Sequence, residues 1–148
     1  MSDTSYLDPT NESVTSLFQR GIQGEVVMLN LLKLRAVADY SEFPELAPAT
    51  PISGREAYEL YIQHTIPHLA ESGGELLYLG EGGTYLIGPE GEGWDLAMLV
   101  RQQSVESFLA FAQNPAYMSG NGHRAAAVED SRILPLATIS TAIAEHIE

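Results

Sequence analysis

The sequence predicts an α+β domain, one antiparallel sheet with helices on a single face. Three observations carry that prediction. Hydrophobic periodicity alternates between a two-residue and a 3.6-residue repeat, in the order strand, helix, strand, strand, helix, strand. Two of the strand segments are apolar on both faces. The chain has 148 residues, 45% of them apolar and 18% charged, enough to bury one continuous core.

Residues 1–24 read as a flexible leader followed by a short accessory helix, and residues 25–148 as the domain proper. Asp8-Pro9 is a helix start, with Asp8 as N-cap and Pro9 where its missing N–H costs nothing. Val14, Leu17 and Phe18 make one apolar stripe, and Gly21 ends the helix. Residues 25–35 form the first strand, with Val26, Met28, Asn30, Leu32 and Leu34 on one face and Val27, Leu29, Leu31, Lys33 and Arg35 on the other. Residues 36–52 carry Pro44, Pro48 and Pro51 and read as a loop, either a plain surface insertion or a cover over a binding site.

Ser53 with Glu56 is a capping-box pattern that opens the main helix. Its apolar arc comprises Ala57, Tyr58, Tyr61, Ile62, Ile66 and Leu69; Pro67 weakens its last turns and Gly73-Gly74 stops it. Residues 75–79 and 84–87 read as strand pieces joined by a turn at residues 80–83, and residues 88–93 as a second turn. Residues 94–101 form the next strand, and Ser104 caps a helix bearing Val105, Phe108, Leu109 and Ala112 on one stripe. Asn114-Pro115 ends that helix and opens a short one, broken at Gly120 and Gly122. Residues 132–139 are the last strand, and residues 140–148 a tail or a final helical turn.

This order is the ferredoxin-like β-α-β-β-α-β plan. Two helices cover one face of such a sheet, so the second apolar face must meet a partner, and the same face of another copy serves. A homodimer with its sheets packed face to face, stable at micromolar concentration, is the expectation.

Seven basic and twenty acidic residues leave a net charge of −13, which argues against nucleic acid and anionic membranes as partners. The absence of cysteine removes disulfides, thiol catalysis and iron–sulfur sites. The first residues lack the flanking charge and apolar stretch of a signal peptide, so the expected location is the cytoplasm.

Several landmarks carry a family resemblance: Leu29-Asn30-Leu31-Leu32-Lys33-Leu34, Tyr58 and Tyr61, Pro67, Gly73-Gly74, Gln102-Gln103-Ser104, Asn114-Pro115-Ala116-Tyr117 and Arg124-Ala125-Ala126. In order and spacing they resemble the family catalogued as domain of unknown function 1330, of the dimeric α/β-barrel superfamily, over residues 25–137. The N-terminal helix and the Pro-rich segment depart from that family's shorter plan. The resemblance implies a ferredoxin-like, barrel-forming dimer and no particular reaction.

The strongest candidate chemistry lies at His123-Arg124 with Tyr117 upstream. Arginine binds carboxylates bidentately, and the nearby Gly120 and Gly122 would let a ligand approach the backbone. The rival reading pairs Arg124 with Glu129, Asp130 or another carboxylate. Asn30, Tyr61, His68 and Trp94, with Tyr85, are candidate ligand-lining residues; each also has a structural reading, Asn30 as a hydrogen-bonded core amide and Trp94 and Tyr85 as core aromatics. Asn30 in particular is a polar residue on an apolar strand face and needs a hydrogen-bond partner. His64 and His68 lie on one side of a helix, and Glu71 would complete a metal set. Thr65 stands where a zincin has its general base, however, and Pro67 disturbs the geometry. Neither glycine-rich turn fits a phosphate loop. No metal, flavin or haem is therefore expected.

Two functions follow. One is a cofactor-independent enzyme, isomerase- or monooxygenase-like, acting on a small oxygenated or carboxylate-bearing molecule. The other is a non-catalytic ligand-binding or structural dimer. A ligand site, if present, is expected near His123-Arg124 and the inner side of the main helix, under the Pro-rich loop.

Overall fold

The computed structural model describes residues 5–139. Helix α1 (Asn11–Gln19) precedes strand β1 (Val26–Leu34), and a 3₁₀ turn (Pro44–Leu46) interrupts the following loop. Then come α2 (Gly54–Glu71), β2 (Glu75–Thr84), β3 (Gly93–Gln102), α3 (Val105–Ala112), α4 (Pro115–Met118), α5 (Asn121–Ala127) and β4 (Val128–Ala137). The four strands form one antiparallel sheet in the order β2-β3-β1-β4. That is the ferredoxin-like arrangement the periodicity predicts.

The inner face of the sheet carries Val26, Met28, Leu32, Leu96 and Met98, all buried, with Asn30 among them. Tyr58, Tyr61, Ala57 and Leu69 of α2 and Ala126-Ala127 of α5 close over that face. Val26, Met28 and Val105 form a second cluster against which Leu17 of α1 packs, so the accessory helix lies on the domain. No helix of the described residues is long and apolar enough to cross a membrane.

The outer face is different. Leu29 sits between Leu99 and Leu134, Val27 between Arg101 and Leu136, and Tyr78 opposes Leu99. Tyr78 and Leu134 are more than half exposed, and Val27, Leu29, Leu31 and Leu99 are half-buried.

The Ser53–Glu56 capping box forms as predicted, and Gly73 at φ +86° takes the left-handed conformation that ends α2. Elsewhere the chain corrects the expectations. The N-cap of α1 is Thr10, whose side chain accepts the Ser13 N–H, and not Asp8. The hydroxyl of Thr10 competes successfully because Ser13 returns the bond to the Thr10 N–H. Helix α2 runs through Pro67, and it buries Thr65 where Ile66 was expected.

Residues 80–83 are no turn. They continue β2, with Gly80 opposite Ala97 and Gly83 opposite Trp94. A Cβ on Gly82 would lie 2.4 Å from the Trp94 carbonyl, so glycine serves close backbone approach there. Gly122 does not break a helix but sits inside α5, and β4 begins at Val128, four residues ahead of the predicted start. The tail at residues 140–148 lies outside the described residues. Within the expected leader, Tyr6 and Leu7 are hydrogen-bonded to β4 and α5, respectively.

Candidate functional site

Helices α4 and α5 follow α3 without a strand between them and both pack on α2, which brings Tyr117 against Tyr61. The Tyr61 and Tyr117 hydroxyls are hydrogen-bonded at 2.7 Å, and Tyr117 in turn donates to Asn121 Oδ1 at 3.4 Å. Phe111 stacks obliquely on Tyr117 at a centroid distance of 4.5 Å. Burial, then the neighbouring Tyr61, pushes the Tyr117 hydroxyl well above the ordinary tyrosine range, and burial does the same for Tyr58. The Arg124 charge is close enough to oppose both shifts. These tyrosines stay protonated across the physiological range and act as hydrogen-bond donors or relays.

Arg124 is half-buried and makes no ion pair among the described residues. Its Nη1 donates to the Leu7 carbonyl at 2.9 Å and its Nη2 to Ser131 Oγ at 3.2 Å. The expected alternative partners, Glu129 and Asp130, do not take it: Asp130 accepts from Arg132 at 2.7 Å instead. Asn30 lies on the same inner face, opposite Met98 and Ile133, and donates to the Met28 carbonyl at 3.1 Å.

His123 does not join this network. Its Nδ1 is hydrogen-bonded to the Tyr40 hydroxyl at 2.8 Å, tying α5 to the Pro-rich loop. The loop also seats Phe43 and Leu46 against Gly122, where a Cβ would lie 2.7 Å and 2.6 Å from them. Gly120 likewise makes room for the His64 ring, 2.2 Å from its would-be Cβ. The two glycines admit protein side chains at the positions where a ligand was expected.

Nε2–H of His64 donates to the Ala116 carbonyl at 2.8 Å, which fixes its tautomer and clamps α4 to α2. His68 is 3.8 Å from Glu71, but no group of three His, Asp or Glu capable of holding a metal occurs among the described residues. Trp94 is also elsewhere. Its indole N–H donates to the Tyr85 hydroxyl at 2.5 Å, and the ring carries Lys33 at 5.8 Å and Arg132 at 5.1 Å.

A groove of about 380 Å³ opens between the limbs of the Pro-rich loop, lined by Val37, Tyr40, Pro48 and Ile52 among others. A second, of about 370 Å³, lies between α2 and β2 at Ile66, Leu69 and Leu76. Neither is lined by Tyr117, His123 or Arg124. Of the predicted set, then, Tyr61 and Tyr117 are directly bonded and the Arg124 charge lies within electrostatic range of Tyr117, while Asn30 is on the buried face of β1 and bonds within its own strand. His123, His68 and Trp94 belong to three other clusters. Tyr40, Asn121 and Ser131 carry no mark in the sequence that would single them out.

Burial, reinforced by the charge of His64, lowers the His123 pKa and favours the neutral ring that Tyr40 bonds. The folded state therefore binds fewer protons than the unfolded chain below the ordinary histidine value of about 6.5, and stability falls as pH drops through that value. Urea melts between pH 7.5 and pH 5 should show this loss, and His123→Gln should flatten it.

No protein-family profile matches the chain, and no curated protein does. Among solved structures, the methylated RPA0582 protein is 34% identical, with a TM-score of 0.79 over 94% of this chain and 98% of that one. A second structure of RPA0582, from Rhodopseudomonas palustris and described as of unknown function, is 34% identical at a TM-score of 0.78, covering 93% of this chain and 100% of that one. The chain belongs to the RPA0582 family. A dimeric ferredoxin-like protein of unknown function from Bacteroides fragilis is far more distant, at 17% identity and a TM-score of 0.42 over 79% of this chain and 99% of that one. The RPA0582 family thus brings the fold and leaves the chemistry to be read from the site.

Proposed function

We propose that this chain is a homodimeric small-molecule-binding protein that takes a small carboxylate, or another oxygenated anion, at Arg124. One observation carries the reading: a half-buried guanidinium has no carboxylate partner among the described residues of a chain with twenty acidic side chains. A partly desolvated charge left without a counter-charge is costly, and an anionic ligand would supply one. The Tyr117 hydroxyl, bonded to Tyr61, lies within electrostatic range of Arg124 and completes the proposed binding set with Asn30.

Binding fits better than catalysis. The isomerase- or monooxygenase-like reading needs an acid–base group beside the anchor, and His123 is committed to Tyr40. The apolar outer face supports the second copy as partner, and the landmarks from Leu29 to Ala126 support domain of unknown function 1330 as the wider family. The cysteine-free, acidic composition suits the cytoplasm.

A charge-assisted hydrogen bond contributes about 1.5–3 kcal/mol. Arg124→Ala should therefore weaken binding of benzoate, or of another small carboxylate found by thermal-shift screening, roughly 10- to 150-fold. Dimerisation and circular dichroism should stay as in wild type. Calorimetry showing equal affinity for both proteins would place the site elsewhere.

A further inference from the structure

Arg124 is occupied by the chain's own backbone. Residues Tyr6 and Leu7, ahead of α1, belong to no helix or strand, yet they are held on β4 and α5 by polar contacts. The Tyr6 carbonyl accepts from the Ser131 N–H at 3.0 Å and from Ser131 Oγ at 2.5 Å, and the Leu7 carbonyl from Arg124 at 2.9 Å. The Tyr6 N–H donates to Asp130 Oδ1 at 2.8 Å, and its ring lies 4.6 Å from the Arg132 guanidinium. Leu7 packs against the main core.

We propose that Tyr6–Leu7 is an autoinhibitory strap, whose carbonyls fill Arg124 and Ser131 until an anionic ligand displaces them. The inference rests on reading Arg124 as the anion anchor. Its physical basis is an asymmetry between acceptors. The strap offers Arg124 a neutral carbonyl, whereas a carboxylate brings the counter-charge the guanidinium lacks among the described residues and can accept from both of its Nη groups at once. The strap is also the cheaper element to release. Tyr6 is more than half exposed, Leu7 is only partly buried, and no ladder of backbone bonds has to break with them. Asp130 keeps Arg132 and the Ser131 N–H when Tyr6 leaves, so departure strands no buried charge. Ligand affinity is then reduced by the fraction of molecules whose strap is open.

The full-length protein titrated with benzoate and followed by NMR tests this. The Tyr6 amide should lose its exchange protection and the Arg132 side-chain protons should lose the ring-current shift of Tyr6, both saturating with the calorimetric Kd. The double variant Tyr6→Ala/Leu7→Ser, which loosens the strap and leaves Arg124 and Ser131 untouched, should bind benzoate about tenfold more tightly. Arg124-dependent binding with Tyr6 protection unchanged overturns the strap, and so does a double variant that binds no tighter. Failure of benzoate to bind either protein, or binding undiminished in Arg124→Ala, removes the anchor itself and the strap with it.

Discussion

Leu29→Lys should convert the proposed dimer into a monomer. Leu29 stands at the middle of the outer sheet face, flanked by Leu99 on β3 and Leu134 on β4. Leu29, Leu99, Leu134 and Tyr78 make an apolar patch there, and such exposed patches mark association sites. Two-fold packing of that face would put the substituted side chain into the interface twice, and an unpaired buried ammonium costs several kcal/mol. We expect the dimer constant to weaken at least ~100-fold, or about 2.7 kcal/mol. Light scattering at about 10 μM protein, where the dimer is expected to be stable, checks it. A particle of 16.1 kDa from the wild-type protein would refute the dimer outright. A variant that remains dimeric would move the interface off this face.

Tyr58→Ala should be the most damaging substitution in the core. Tyr58 is 1% exposed, the largest of the fully buried side chains, and its ring packs on Tyr61 at 5.2 Å. Large-to-small changes at such positions cost about 3–5 kcal/mol through lost transfer energy and the cavity left behind. For a domain of this size the melting temperature should fall by roughly 10 °C. Tyr58→Phe is the control. Its hydroxyl donates only to the Met98 sulfur, at 3.9 Å, a weak bond whose loss should cost less than ~1 kcal/mol. Equal melting temperatures for wild type and the alanine variant would mean the interlayer core is not as tightly packed as the buried areas indicate.

Much of the fold was legible because its signals are local. The alternation in Val26–Leu34, the Ser53–Glu56 capping box and the Gly73 stop each depend on neighbours within a few residues, and each appears in the structure where the pattern places it. The double apolarity of β1 is local too, and it shows in the structure as a buried inner face and a half-open outer one. Residues 80–83 misled for a physical reason. Glycine in sequence signals a turn, but here it relieves crowding between paired backbones, and only the partner strand reveals that.

The site divides along the same line. Sequence by itself determined an acidic, cysteine-free domain with few cations, and so singled out Arg124 as a place where charge would matter. Tyr61 and Tyr117, 56 residues apart, became one hydrogen-bonded pair only when α4 docked on α2. His123 and Arg124 are adjacent in the chain and diverge in space, because successive positions on a helix point about 100° apart. One therefore faces the Pro-rich loop and Tyr40, and the other faces β4 and the N-terminal segment. What fills Arg124 is a backbone carbonyl 117 residues away, a group every residue carries and no sequence pattern marks. Tertiary structure alone decides such pairings, because backbone acceptors are chemically alike and only position distinguishes them.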